Sequence, residues 1–184
     1  MRNLKKYKLI YADPPWKYKS VGITCWGGHN AAAEKQYDVM ELDEICNLPV
    51  GKLANDDGAA LFLWATQPLL HEAFHVVEAW GFEYKSMIIW HKIEGPPPLG
   101  YWYPVAAEYL IVATRGNIKS FKSRRINIIK HKRLGHSKKP PIFRKICEET
   151  GLEPRIELFA RERLEGWDAL GNELPVTIQK RLFR

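Results

Sequence analysis

The sharpest chemical signal in the chain is Asp13-Pro14-Pro15-Trp16, which follows directly on the apolar run Lys8-Leu9-Ile10-Tyr11-Ala12. Prolines cannot continue a central strand, so the run reads as a buried strand that ends in a rigid turn. In an open α/β sheet, ligands bind beyond the C-terminal ends of the strands, where this tetrapeptide would lie. Neither proline has an N–H, so the turn offers acceptors only and is conformationally fixed. The Asp13 carboxylate and the Pro14 backbone carbonyl together suit one poor nucleophile well, the exocyclic amine of adenine. Two acceptors can hold its two N–H protons, draw the nitrogen toward tetrahedral geometry and free the lone pair, with Trp16 stacked on the base. The alternative is a plain strand end with a packed Trp.

Two other groups could do chemistry. His71-Glu72-Ala73-Phe74-His75 fits the zinc-protease pattern of two ligands and a general base on a helix. That use requires a third ligand and an open cleft, and no H-x-x-G-x-x-H continuation follows. The six histidines form no ligand cluster with acidic or cysteine neighbours, so no metal is expected. Cys25, Cys46 and Cys147 are odd in number and match neither a disulfide framework nor a C-x-x-C clip, which suits reduced thiols and a cytoplasmic setting. No signal-peptide run and no stretch approaching eighteen apolar residues is present.

Elements must position these residues. At 184 residues, with ordinary hydrophobic and charged fractions and 22 aromatic rings, the chain reads as one folded domain over 1–184, with 174–184 as a C-terminal tail. Ala59–Ala65, Ser86–Trp90, Glu108–Ala113 and Arg155–Ala160 are near-continuous apolar runs of strand length, the pattern of strands covered on both faces. Pro68–Trp80 carries apolar residues at helical spacing with Gly81 as its stop. A second helix is expected over 140–150, and a weaker one near Leu42. This alternation, with connections too long for hairpins, predicts an α/β fold with a mostly parallel sheet. Segments 17–38 and 91–105, rich in Gly, Pro, Trp and Tyr, are expected near the site.

Charge is concentrated. Arg115 to Lys145 holds twelve Lys or Arg and no Asp or Glu, so this segment carries +12 of a net +7 and the remaining residues carry −5. A basic patch of this kind is the footprint of a polyanion binder, with a solvated loop as the alternative. Lys119, Lys122, Arg124, Arg125, Lys130, Lys132 and Arg133 are the expected contacts to a nucleic-acid backbone.

Taken together, Asp13–Trp16, Asp57–Trp64, Ile88–Lys92, His136–Pro140 and Ile156–Arg161 with Gly166-Trp167 and Gly171-Asn172 resemble the MT-A-type adenine-N6 methyltransferases. The likeness is colinear from about Lys8 to Glu173. It implies a Rossmann-like methyltransferase fold in permuted order, with the catalytic tetrapeptide first and the cofactor-binding strand last, and S-adenosylmethionine as methyl donor. No G-x-G-x-x-G loop is present to show that cofactor independently. By motif position, Asn172 and Glu173 resemble the pair that binds the ribose hydroxyls, and Lys139 the lysine that binds the methionine carboxylate. The resemblance also implies that Ser137, Phe159, Arg161 and Arg163 flank the cofactor and that Asp13 faces its cationic end. Tyr37, Trp90, Lys92 and Trp102 match the acceptor pocket, although Trp90 also reads as core.

The resemblance also implies target selection by the aromatic loops, the basic segment or a partner, since longer relatives carry an upstream segment and recognition domains that this chain does not show. The expected function is S-adenosylmethionine-dependent methylation of adenine N6 in nucleic acid, DNA ahead of RNA, by a homodimer or beside a methyltransferase-like partner subunit. The alternatives are a non-catalytic nucleic-acid-binding subunit and a cytosine-N4 methyltransferase.

Overall fold

The computed structural model describes residues 5–18, 39–95, 102–119, 121, 125–134 and 138–171. Seven strands form one sheet: β1 (Leu9–Ala12), β2 (Gly58–Thr66), β3 (Glu83–Ile93), β4 (Ala107–Gly116), β5 (Ile128–Lys132), β6 (Arg155–Leu158) and β7 (Asp168–Leu170). Their spatial order is β5-β3-β4-β2-β1-β6-β7. β1 pairs in parallel with β2 and β6, β6 with β7 and β3 with β5, while β4 runs against both β2 and β3. The sheet is therefore mostly parallel, as expected, with one exception. The 94–106 connection returns the chain antiparallel, because a loop of that length serves a return as readily as a crossover.

Apolar alternation explains the layers. Ile10, Ala12, Leu61, Leu63, Ile111 and Leu158 face one core, which is covered by α1 (Leu42–Cys46) and α2 (Leu70–Ala79). Leu9, Tyr11, Phe62, Trp64, Leu110 and Val112 face the other, under α3 (Pro141–Glu148). Strands buried on both faces must be apolar at every position, which is why β1 and β2 read as unbroken runs. The sequence runs understate β3, whose first residues Glu83, Tyr84 and Lys85 are exposed, and give no sign of β5 or β7. These last two are edge strands, and β5 alternates exposed Ile128, Lys130 and Lys132 with half-buried Ile129 and His131. Lysines on an edge deter unwanted strand pairing.

Each helix begins and ends for local reasons. Glu41 and Glu44 form a reciprocal capping box at the start of α1, with the Glu41 N–H donating to Glu44 Oε2 at 2.8 Å. A 3-10 turn over Gln67–Leu69 carries Pro68 into α2, and Gly81, at φ +78°, closes that helix. Pro141 opens α3 and Gly151, at φ +70°, follows its end. The 174–184 tail lies outside the described residues.

Candidate active site

The chain leaves β1 toward β2 on one side, and later places β6 on the other side of β1. This is the reversal of strand order at which open α/β sheets form their crevice. Asp13 stands at the tip of β1, and the register pairs Ala12 with Leu158, so Phe159 stands at the neighbouring tip of β6. Phe159 has φ +61°, a left-handed conformation that a non-glycine residue adopts only when its surroundings impose it. Behind it the chain approaches itself closely. The Ala160 N–H donates to Leu170 O at 2.9 Å, and a Cβ on Gly171 would lie 1.9 Å from Ala160 O. Only glycine permits that contact.

The proline turn is fastened on several sides. Trp16 N–H donates to Pro14 O at 2.9 Å, and Met40 N–H donates to Pro15 O at 2.8 Å. Trp16 Nε1 donates to Trp64 O at 3.1 Å. Trp16 is 8% exposed, so its ring belongs to the core and braces the turn, and it is not the open stacking face expected of it. The Pro14 carbonyl keeps a second lone pair, since one donor occupies only one.

Four alternating charges converge at this end of the sheet. Lys139, just before α3, places Nζ 2.9 Å from Asp13 Oδ2 and 3.2 Å from Glu108 Oε2. The latter contact is an ion pair out of hydrogen-bond alignment, so Glu108 Oε2 is buried with its acceptor capacity unused. Glu108 Oε1 accepts from Lys92. Beneath the cations lie two buried indoles, Trp64 with its ring centroid 5.2 Å from Lys139 Nζ and Trp90 at 5.0 Å from Lys92 Nζ. Aromatic faces beneath ammonium groups are favourable. The quartet is neutral as a whole.

Burial governs the acid–base behaviour of the cluster. It pushes Asp13 above the ordinary aspartate value, and the pull of Lys139 only partly offsets this. For Glu108 burial also acts upward, but Lys139 and Lys92 outweigh it and hold that carboxyl low. Burial works against the Lys139 cation, and Asp13 and Glu108 more than restore it. A carboxylate with raised basicity beside one held ionised is the split expected of a working pair.

The structure separates the remaining candidates. Asp13, Pro14, Pro15, Trp16, Lys92 and Lys139 are brought together, and Arg161, exposed on the loop after β6, contributes its positive charge at Asp13. Arg163 is exposed. Trp90 corrects its expected role. It is 3% exposed, donates Nε1 to His131 O at 2.9 Å, and packs against Trp64 and Phe143, because it lies on the face of β3 that meets α3. Trp102 is 83% exposed in the β3–β4 connection. Tyr37, Lys122, Arg124, Ser137, Asn172 and Glu173 lie outside the described residues.

The basic segment is partly diverted to structure. Arg115 donates to Gly51 O at 3.0 Å, Arg144 forms a two-pronged pair with Glu157 at 2.7 and 2.9 Å, and Arg125 does so with Glu149 at 2.9 and 2.7 Å. Lys119, Lys130 and Lys132 are exposed, while Arg133 is half-buried. His71 and His75 stack edge-on at 4.7 Å on an exposed face of α2, and no further His, Cys, Asp or Glu gathers beside them among the described residues. Sequence reasoning missed Glu108, Thr66 and Tyr18. Tyr18 Oη lies 3.0 Å from Thr66 Oγ1, and Thr66 is the cross-strand partner of Glu108.

The chain is similar to known proteins over most of its length. The MT-A70 family model matches residues 7–173. The type II methyltransferase M.MunI of Mycoplasma sp is 33% identical over 93% of this chain and 79% of its own length. The human N(6)-adenosine-methyltransferase catalytic subunit METTL3 is 28% identical over 93% of this chain, which spans 29% of that protein. Human METTL4, an N(6)-adenine-specific methyltransferase, is 26% identical over 92% of this chain and 38% of its own length. With a mostly parallel α/β sheet that presents Asp13-Pro14-Pro15-Trp16 at its crevice, and a family match running nearly end to end, the chain belongs to the MT-A70 family of adenine-N6 methyltransferases.

Proposed function

We propose that this chain transfers a methyl group from S-adenosylmethionine to the N6 amine of adenine in nucleic acid, with DNA ahead of RNA. The observation that carries the reading is the half-committed Asp13 carboxylate. Lys139 occupies Oδ2, which leaves Oδ1 and the second lone pair of Pro14 O as neighbouring acceptors on a turn fastened to β2. Held by both, an amine loses its planarity and exposes its lone pair. As the new N–C bond forms, the methyl–sulfur bond breaks with its electron pair staying on the departing thioether, the nitrogen sheds a proton, and a carboxyl whose affinity for protons is raised by burial can take it. Orientation by a rigid turn supplies the rest.

The residues fit the cofactor's chemistry. Lys139 is ion-paired with Asp13 and Glu108, and its ammonium carries three N–H donors that can also serve a carboxylate. Asp13 supplies negative charge for a sulfonium, and the φ +61° turn at Phe159 with the Gly171 contact shapes the wall beside it. Ser137, Arg161, Arg163, Asn172 and Glu173 complete the proposed binding set. When bound, S-adenosylmethionine supplies an electrophilic methyl group on sulfur.

Lys130 and Lys132 line the exposed face of β5, whose C-terminal end lies beside that of β3, and with Lys119 and Arg133 they give a nucleic-acid strand a path toward the site. Lys122, Arg124 and Arg125 belong to the same proposed surface, and Tyr37 and Trp102 to the proposed base pocket. Support for the proposed preference for DNA comes from the higher identity to the type II methyltransferase M.MunI, 33%, than to the human N(6)-adenosine-methyltransferase catalytic subunit, 28%. Two reduced thiols, Cys46 and the buried Cys147, suit a cytoplasmic setting, and a second copy or a methyltransferase-like subunit is the proposed partner. No described helix is long and apolar enough to cross a membrane.

Labelled S-adenosylmethionine, DNA and RNA oligonucleotides and nucleoside mass spectrometry test the reading. N6-methyladenine from the wild type and none from Asp13→Asn is expected. Label on cytosine N4 would establish the alternative acceptor, and no label on either polymer with cofactor bound would establish the non-catalytic subunit.

A further inference from the structure

The acceptor base needs an aromatic face, and three indoles of the described residues at this end of the sheet are committed elsewhere. Trp16, Trp64 and Trp90 are all in the core, each with its indole N–H bonded inside the fold. Tyr18 is placed differently. It follows the catalytic turn by two residues, is 40% exposed, and is tethered through Oη to Thr66, the last residue of β2. Thr66 stands directly across from Glu108 in the β2–β4 register. The phenol also feels the charges of Glu108, Lys139 and Asp13, as a ring at the mouth of the same crevice must.

We propose that Tyr18 is the platform on which the acceptor purine stacks, with the Thr66 hydroxyl fixing the ring angle. This rests on the adenine-transfer reading and adds to it the residue that binds the base. The geometry gives the ring what stacking requires: partial exposure, a tethered edge that lowers the ordering cost, and attachment to the segment that carries Asp13. Tyr84, also exposed, lies at the far end of β3 and packs edge-on against Phe74. It serves as a control.

Stacking on one aromatic ring changes affinity for single-stranded nucleic acid by between about fivefold and about 150-fold. The test compares Tyr18→Phe, Tyr18→Trp, Tyr18→Leu and Tyr84→Leu, all checked for an unchanged unfolding midpoint. Oligonucleotide KM and kcat are measured together with binding, by fluorescence anisotropy, to an adenine oligonucleotide and to its copy with an abasic target. Tyr18→Leu is expected to raise KM at least fivefold with kcat within threefold, and to weaken binding to the adenine oligonucleotide but not to the abasic one. Tyr18→Phe and Tyr18→Trp should stay within threefold of wild type, as should Tyr84→Leu. A Phe variant as impaired as the Leu variant, or equal loss on adenine and abasic targets, would overturn the proposal. If the wild type methylates no adenine, the transfer reading fails, while the anisotropy comparison still decides the stacking claim.

Discussion

Removing the Lys139 cation and the Glu108 charge together should cost less than the two single removals added together. Lys139 Nζ is 2.9 Å from Asp13 and 3.2 Å from Glu108, and all three side chains are at most a quarter exposed. At an effective dielectric constant of about 20, the two attractions are gross energies of about 6 and about 5 kcal/mol. Two oxygens that share this nitrogen are no more than 6.1 Å apart. At that separation their unscreened repulsion is about 3 kcal/mol. Desolvation consumes most of the attraction in the native pair, so the measurable cost of Lys139→Met lies near the lower end of the range for breaking a buried pair, about 3 kcal/mol. Glu108→Gln alone leaves two lysines facing one carboxylate and should cost about 2 kcal/mol. The double variant has no stranded carboxylate pair, so it should cost about 3 kcal/mol, some 2 less than additivity demands. Urea unfolding with linear extrapolation at neutral pH measures all four corners of the cycle. Additivity within about 0.5 kcal/mol, or a Lys139→Met cost below about 1 kcal/mol, would show that the three residues do not form one cluster.

Further outcomes follow from the same geometry. Because burial raises the Asp13 carboxyl, methyl transfer should decline on acidification with a midpoint above the ordinary aspartate value, which single-turnover rates against pH would show; a flat profile would remove ionised Asp13 from the chemistry. The contribution of Asp13 to folding stability is full at low pH and is lost as pH rises through its raised value. Those of Glu108 and Asp168, both held low, are full at neutral pH and are lost on acidification through their folded values. Trp90→Ala should destabilise by about 3–5 kcal/mol, as a large core truncation does, while oligonucleotide KM moves less than threefold; a tenfold KM change without loss of stability would return Trp90 to the base pocket. Replacing Lys130 and Lys132 with Gln should flatten the dependence of log affinity on log salt by about 1.4–1.8. An unchanged slope would leave β5 as a solvated edge.

Which parts of this site are legible in the sequence depends on whether their meaning is local. Asp13 announces itself because a double-buried strand and two prolines flank it within a few residues, and those neighbours alone dictate a rigid tip. The α/β class is legible for the same reason, since burial on both faces forces each of β1 and β2 to be apolar throughout. Glu108 is as central to the cluster as Asp13, but in sequence it only opens an apolar run. Its significance comes from Lys92 and Lys139, which the antiparallel return and the start of α3 deliver from distant positions. Trp90 and Trp16 show the converse error: an aromatic beside a motif invites a ligand role, whereas the covering helix and neighbouring strand decide whether its face is open. Tyr18 has the weaker sequence context and the better position, because its tether to Thr66 exists only once β1 and β2 lie side by side. Positions whose role is set by their own segment can be read before folding. Charge pairs and open ring faces are properties of the assembled sheet, and the chemistry at Asp13 depends on both.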